Sequence, residues 1–480
     1  MILNNILFLA RVLSVIFIFV VIFLDKRKPE STIAWVLILT FVPYVGVFLY
    51  IVLADTFRFN IHKREQEKLI LNKQYKKLIS QQISFVKNDD RMKTHSQIGS
   101  LILLNSQSGS LITANNDIKV YNKGIDQYND LYQDIIKAKQ YIHISYYIIR
   151  RDEYGKKLIN LLISKVEEGV EVRLIFDHIG SKVTTKSAFK KLIKAGAKVE
   201  KFFPSKVFFK SYLNHRNHRK MVIIDGKIGY TGGMNIGKEY CDGNNKLYPW
   251  ADRHIRIKGD GVVGLQTQFL LDYMFVSKED INLSNREVIQ KYFPKVKSYG
   301  NQLLQIVASG PDYKQENIKS AYLKMINDAK ESILIETPYL ILDDSMMDAI
   351  KIAIRSGVDV KIVIPGVPDK KIVYLATLSY ARELMDMGVK VYTYNGFMHS
   401  KVLISDDYIT SIGSANMDRR SFSLNFEINS FIYDKEFNSL NRALVEEDIK
   451  NSELLNEKIK KKNKFGLWLE RIFRLLAPIL

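Results

Sequence analysis

Two long apolar runs open the chain. Ile6 to Leu24 carries one charge, Arg11, and Ile33 to Ala54 carries none. Each approaches the ~20 residues that a helix needs to cross a bilayer, so residues 1–54 are expected to hold two membrane segments. A cleaved leader fits poorly, because no Lys or Arg precedes Arg11 and the second run follows at once. Pro43 and Gly46 predict a kink and leave a re-entrant second segment open. Residues 55–114 are polar and rich in Lys and Gln, the pattern of a linker. Beyond it the period changes. Tyr141 to Ile149 ("YIHISYYII") is strand-like, "YGKKLINLLISKVEEG" is an amphipathic helix ending at Gly169, and "VEVRLIFD" (Val170 to Asp177) is a buried strand followed by another helix. Strands alternating with helices predict an α/β fold.

The pattern is then repeated. "AKQYIHIS" from Ala138 answers to "AKESILIE" from Ala329, "EGVEVRLIF" to "SGVDVKIVI", and "AGAKVEKFF" from Ala195 to "MGVKVYTY" from Met387. Such self-similarity predicts two duplicated lobes, residues 115–295 and 296–450, sharing one central cleft. The end of the chain, residues 451–480, places a lysine cluster before Phe465, Leu467, Trp468, Ile472, Phe473, Leu475 and Leu476. As a helix it would set an apolar face against lipid with cations beside headgroups. Packing of the same helix on the body is the alternative reading.

Charge narrows the partners. With 71 Lys and Arg against 51 Asp and Glu, the net charge is +20, which suits an anionic partner, nucleic acid or an acidic membrane surface. The cations after Ala54 (Arg58, Lys63, Arg64, Lys68, Lys73, Lys76 and Lys77) outnumber those of the turn between the apolar runs, Lys26, Arg27 and Lys28. The positive-inside bias therefore places the main body in the cytoplasm, on a multi-pass anchor in the cell membrane. A single cysteine, Cys241, excludes an intrachain disulfide and reads as a small apolar residue.

The repeat carries chemistry. His218, Lys220 and Asp225 form H-x-K-x4-D, and "GGMN" follows, ending at Asn235. His399, Lys401 and Asp406 repeat the spacing, and "GSAN" ends at Asn416. The histidine-to-asparagine distance is 17 in both copies (235 − 218 and 416 − 399). His and Lys two apart on a strand point to one side, and the glycines let the chain turn so that each asparagine returns toward the pair. Two such lobes would join two imidazoles, two ammonium groups and two amides around a tetrahedral anion. One histidine can attack phosphorus while the other protonates the leaving oxygen, and the lysines and asparagines hold the remaining oxygens. No metal or organic cofactor is called for. Asp225 and Asp406 complete the motif; their expected task is local, holding the turn within each lobe. His215 is expected to be an exposed loop residue. His62, His95, His143, His178 and His254 have no partner copy and are read as structural or surface residues.

These residues resemble the phospholipase D superfamily. "GGMNIGKEY", "PWADRHIRIKG", "IVIPGVPDKK" and "SANMDRRSFSLNFEIN" are similar to bacterial cardiolipin synthases, which also carry two N-terminal membrane segments. The resemblance covers nearly the whole chain. It implies that phosphatidylglycerol donates its phosphatidyl group to a histidine, that glycerol leaves, and that a second phosphatidylglycerol takes the group, giving cardiolipin. It implies His218 as nucleophile and His399 as general acid and then base, an assignment that the near-symmetry makes reversible. It also implies that Asp252 in "WADRH" and Glu427 in "NFEIN" each orient the other lobe's histidine. The second motif has Ser414 where the first has Gly233; its hydroxyl is expected to help hold phosphate, so the two sides differ.

The partners so implied are phosphatidylglycerol and anionic membrane lipid, without nucleic acid. Three other readings share the motifs: a nuclease of the same superfamily, a hydrolase or transferase using another acceptor, and a non-catalytic membrane scaffold. The aromatic-rich loop from Phe202 to Leu213 is a candidate for dipping into lipid. Oligomeric state is not readable from the sequence.

Overall fold

The computed structural model describes residues 2–24, 29–53, 96–181, 189–202, 215–241, 247–283 and 285–455, together with positions 81, 84, 88, 470, 473 and 474. Two compact units form, one from residues 1–59 with 203–215, the other from residues 60–202 with 216–480.

In the first unit the helix Ile2–Phe19 continues into a π-helical turn, Val20–Leu24. The second apolar run is divided at Pro43 into the helices Pro29–Phe41 and Pro43–Leu53. The kink read from Pro43 is therefore present, since proline has no N–H to continue the ladder. Val21, Leu39, Val47 and Tyr50 form a small core, with Trp35 edge-on to Tyr50 at 5.2 Å. Phe8, Phe19, Phe23, Phe41 and Phe48 face outward. No helix among the described residues is long and apolar enough to cross a membrane. The hydropathy of the runs is as expected, but the π-turn and the proline break them into shorter helices.

The second unit is built on one fifteen-stranded sheet. Its first half contributes β1 (Thr113–Tyr121), β2 (Tyr141–Tyr146), β3 (Glu171–Asp177), β4 (Lys198–Phe202), β5 (Met221–Ile224), β6 (Ile228–Gly232) and β8 (His254–Lys258), with β7 (Trp250–Ala251) outside that sheet. The second half contributes β9 (Gln302–Ser309), β10 (Ser332–Glu336), β12 (Asp359–Pro365), β13 (Lys390–Tyr394), β15 (Val402–Ser405), β16 (Ile409–Gly413), β18 (Glu427–Tyr433) and β19 (Ser452–Leu454). The short strands β11 (Leu340–Ile341), β14 (Phe397–Met398) and β17 (Met417–Asp418) lie outside the large sheet. From the middle outward the first half runs β1-β8-β6-β5-β2-β3-β4 and the second β9-β18-β16-β15-β10-β12-β13-β19. Position for position the two orders match, with β19 added at one edge. The duplication read from the sequence is thus a duplication of topology.

The parallel part of each half is a right place for helical crossovers, because parallel strands cannot be joined by a tight turn. The helix Glu153–Glu167 links β2 to β3, and Asp344–Arg355 links β10 to β12. Each is capped by an aspartate, Asp152 accepting from the Gly155 N–H and Asp343 from the Met346 N–H. Each is followed by a glycine in the left-handed region, Gly169 at φ 88° and Gly357 at φ 90°, the conformation that ends a helix and is least strained without a Cβ. The helices cover separate apolar cores in the two halves.

Among the described residues, strand pairing joins the two halves at three places. β1 pairs with β9 across an irregular register, Thr113 opposite Leu304 and Asn116 opposite Gln302. β7 pairs in parallel with β14, Trp250 opposite Phe397 and Ala251 opposite Met398. Asn217 bridges Phe426. The stretch read as a linker to residue 114 ends sooner than expected. The helix Ser96–Gln107 puts Ile98, Leu101 and Ile102 into the second half's core, and the Asn105 amide donates to Gln305 and Tyr433.

At the C-terminus, Glu470 accepts from Arg382 at 2.7 Å, Arg474 pairs with Glu383 at 2.6 Å, and the Arg474 guanidinium covers Tyr380 at 4.4 Å. At these positions the terminal segment contacts the helix Lys371–Asp386. The remainder of its apolar face lies outside the described residues, as does the aromatic loop beyond Phe202.

Candidate active site

His218 and His399 each stand three positions before the first residue of the repeated strands β5 and β15 (221 − 218 and 402 − 399), and both line one cleft of about 1180 Å³. Each is held by the other half. The His218 Nδ1–H is 3.0 Å from Glu427 Oε2 and 3.0 Å from the Ser414 carbonyl. The His399 Nδ1–H is 2.6 Å from Asp252 Oδ2. The backbone repeats the exchange. His218 N–H donates to the Phe426 carbonyl (2.9 Å) and His399 N–H to the Ala251 carbonyl (2.7 Å), in each case the residue just before the acid. With Nδ1 donating, Nε2 of each ring keeps a lone pair. The acids are fully enclosed (Glu427 0 %, Asp252 1 %), whereas the imidazoles retain 13 % and 14 % exposure at the cleft.

Aromatic walls fix the rings further. Tyr147 stands edge-on to His218 at 4.9 Å. Trp250 and Phe397 flank His399 at 5.4 and 5.7 Å.

Lys220 and Lys401 lie buried beneath the histidines. Lys220 Nζ donates to the His218 carbonyl at 2.6 Å, and Lys401 Nζ to the His399 carbonyl. Burial pushes their ammonium groups down to about 7 and about 8. Burial likewise lowers His218, against the pull of Glu427. It lowers His399 well below the usual range, helped by Lys401 and Lys220. Burial raises Asp252 to about 6. All these shifts share one leading cause, burial that disfavours the charged form; the neighbouring lysines add to it at the histidines and oppose it at Asp252. A bound anion opposes it by favouring every positive form.

Other expected residues divide. Asn235 and Asn416 line the cleft. Asn235 accepts from the Ile148 N–H (3.1 Å) and donates to the Tyr240 hydroxyl (2.6 Å), while Asn416 donates to Asp418 Oδ2 (3.1 Å).

Asp225 and Asp406 are elsewhere. Each is seven residues of extended chain from its histidine, roughly 23 Å along the strand. Asp225 accepts from the backbone of Lys139, Gln140 and Tyr141, and Asp406 from Lys330, Glu331 and Ser332. Both stand at positive φ, 51° and 47°. They tie the β5–β6 and β15–β16 turns to the starts of β2 and β10, the local task, and their place in a catalytic set is corrected by this geometry.

Ser414 is also displaced from its expected use. Its hydroxyl donates to Glu427 Oε2 at 2.5 Å, so it steadies the acid instead of facing phosphate. The matching Gly233 has a reason of its own. A Cβ there would stand 1.9 Å from Asp252 Oδ1. The shorter acid needs the space that the hydroxyl occupies on the other side. His215, expected to be exposed, is 1 % exposed.

Arg219 was not singled out by the motif. It lies between His218 and Lys220, so strand alternation turns it to the opposite face. There it is fully buried, donating to Asp272 (2.5 Å) and to the carbonyls of Glu427 (3.1 Å) and Ser309 (3.2 Å). His143 is a core residue, stacked on Phe269 at 4.5 Å. Among the described residues no group of His, Cys, Asp and Glu side chains has the arrangement to hold a metal ion.

Comparison with known proteins places this arrangement. The family "Cardiolipin synthase, PLD-like domain" matches residues 131–250 and 322–449, one match per half, and "Phospholipase D-nuclease N-terminal" matches residues 12–54. A cardiolipin synthase of Staphylococcus aureus is 42 % identical over 491 aligned positions, covering 100 % of this chain and 97 % of that protein. One of Oceanobacillus iheyensis is 42 % identical, covering 98 % of each. The phosphatidylserine synthase of Haemophilus influenzae shares the fold, with a TM-score of 0.57 at 14 % identity over 78 % of this chain and 98 % of that one. The matched halves, each supplying one imidazole and the acid for the other, and the full-length identity establish that the chain belongs to the cardiolipin synthase family of phospholipase D-like proteins.

Proposed function

We propose that this protein is a cardiolipin synthase that transfers a phosphatidyl group from one phosphatidylglycerol to another. The observation that carries the reading is the crossed pairing of His218 with Glu427 and His399 with Asp252 at one cleft, in a chain of this family. His218 Nε2 attacks phosphorus, the bond from phosphorus to the glycerol oxygen breaks, and that oxygen takes a proton from His399 Nε2. The terminal hydroxyl of the second lipid then gives its proton to His399. Its oxygen bonds to phosphorus, and the P–N bond breaks with the electron pair returning to His218. Glu427 and Asp252 hold the tautomers and stabilise the imidazolium that forms at each step. Lys220 and Lys401 supply positive charge beneath the phosphoryl oxygens, and Asn235 and Asn416 each keep a second amide hydrogen for them.

His399 has to be protonated for the first step although the empty site disfavours it. The phosphodiester anion offsets the lysines and raises it again. His399 ends the cycle protonated and His218 ends it neutral, each as it began.

The apolar outer face of the first unit supports anchorage in a lipid bilayer. The positive-inside bias supports a multi-pass protein of the cell membrane with a cytoplasmic catalytic body. The test is mass spectrometry of products from the purified protein given phosphatidylglycerol alone, with DNA in a parallel incubation. Cardiolipin and free glycerol are expected, and neither should appear with His218→Ala or His399→Ala. Substantial turnover by either variant, or cleavage of DNA in place of lipid transfer, would refute the reading.

A further inference from the structure

Among the described residues three side-chain polar atoms of the cleft wall have no hydrogen-bond partner within the protein: one donor, Trp250 Nε1, and two acceptors, the side-chain carbonyl oxygens of Asn416 and Asn425. Both asparagines line the cleft, and both are at least nine-tenths buried (5 % and 9 % exposed). Their orientation is fixed by their neighbours. The Asn416 amide nitrogen donates to Asp418 Oδ2 at 3.1 Å, and the Asn425 nitrogen to Glu427 Oε1 at 3.3 Å. A carboxylate accepts only, so in each amide the nitrogen faces the acid and the oxygen is turned elsewhere. Asn235 in the first motif differs, with both ends of its amide occupied by Ile148 and Tyr240.

Buried carbonyls are almost always hydrogen-bonded, so these two await a donor. A phosphoryl oxygen cannot serve, being an acceptor itself. An ammonium group is opposed by Lys220 and Lys401 in the same site. A neutral hydroxyl meets both conditions.

The geometry points to Asn416 and Asn425 as a hydroxyl-binding subsite that selects a glycerol headgroup on the acceptor lipid through its secondary hydroxyl. This rests on the reading of the site given above and adds the acceptor's recognition. The terminal hydroxyl does the chemistry, losing its proton to His399. The secondary hydroxyl does not react; it donates to an amide carbonyl and so places its neighbour for attack. A site built to hydrogen-bond a hydroxyl strongly rejects the analogue lacking it, because its own buried group is then left unpaired.

The experiment compares phosphatidylglycerol with phosphatidyl-1,3-propanediol, which keeps the terminal hydroxyl and lacks the secondary one. Each lipid is given alone to the full-length protein in mixed micelles with a fixed concentration of ethanol. The phosphohistidine then divides between the lipid acceptor, giving a dimeric lipid, and ethanol, giving phosphatidylethanol. Their ratio is independent of how fast the intermediate forms, so any disturbance of Glu427 or His218 cancels. The unsubstituted protein should give a ratio at least about 10-fold lower with the propanediol lipid. Asn425→Ala should lower the phosphatidylglycerol ratio to that level and leave the propanediol ratio unchanged. Equal ratios for the two lipids, or an Asn425→Ala protein that keeps the full preference, would overturn the subsite. If Asn425→Ala does not fold, the comparison of the two lipids on the unsubstituted protein decides alone. Absence of both dimeric lipid and phosphatidylethanol would instead sink the transferase reading itself.

Discussion

Replacing Gly233 with alanine should disable His399 without touching it. The backbone of Gly233 is not in the left-handed region, so any effect comes from the added methyl group. That carbon would sit 1.9 Å from Asp252 Oδ1 and 2.8 Å from its carboxyl carbon. Comfortable contacts between such atoms begin at about 3.5 Å, so the carboxylate has to withdraw by roughly 1.5 Å. Its other oxygen is 2.6 Å from His399 Nδ1, and a retreat of that size takes the pair past the ~3.2 Å limit of a hydrogen bond. Misplacing a catalytic group by ~1 Å costs ~10²-fold, and losing an orienting carboxylate altogether costs up to ~10⁴-fold. The expected fall in kcat therefore lies between ~10² and ~10⁴, with KM little changed because the lysines are undisturbed. The assay is cardiolipin formation from phosphatidylglycerol at saturating substrate, followed by mass spectrometry. Ser414→Ala is the milder counterpart, losing one charge-assisted hydrogen bond to Glu427 and about 10-fold in kcat. A Gly233→Ala protein within about 3-fold of its parent, a difference of less than ~1 kcal/mol in the barrier, would show that the Asp252–His399 contact does not govern turnover.

Four further expectations follow from the same geometry. The kcat/KM profile should fall below about pH 6 as Asp252 takes a proton, and above about pH 7 to 8 as Lys220 and Lys401 lose theirs; a flat profile from pH 5 to 9 would contradict it. Because the two lysines hold their protons less tightly when folded, the unfolded chain binds more protons between about pH 7 and 10, so denaturant stability contributed by them should rise with pH across that window. Asp225→Asn should cost about 1–3 kcal/mol of stability by weakening its hold on three backbone amides, while kcat stays close to the parent, whereas a catalytic role would show as a collapse of kcat in a folded protein. Arg219→Met should leave the buried Asp272 carboxylate with the Gln268 amide but without its guanidinium counter-charge, and cost about 3–5 kcal/mol in denaturant unfolding.

Much of this site was legible in the sequence because a duplicated chain states its important spacings twice. The matched 17-residue intervals led to the imidazoles and amides, and the repeated "AK…GV…G" series to the paired strand orders. What remained hidden depended on where each strand ends. Asp225 and Asp406 belong to the repeated string yet sit at its far end, and a spacing carries no information on which end faces substrate. Ser414 was misjudged because a hydroxyl beside a glycine turn has two directions to point, and only the length of the opposing acid decides between them. Asn425 and Tyr147 carry no periodic signal at all, reaching the cleft from the segments before β18 and after β2. In the N-terminal unit, hydropathy reported how apolar the runs are but not where their helical ladders break.

The crossed exchange between the halves also bears on how the protein is made. A ribosome has to deliver residue 252 before His399 exists and residue 427 long after His218 has emerged. The first imidazole therefore stays without its acid through most of synthesis. A chain cut short before Ser414 would lack both acceptors that face His218 Nδ1, so the first half cannot build this contact from its own residues.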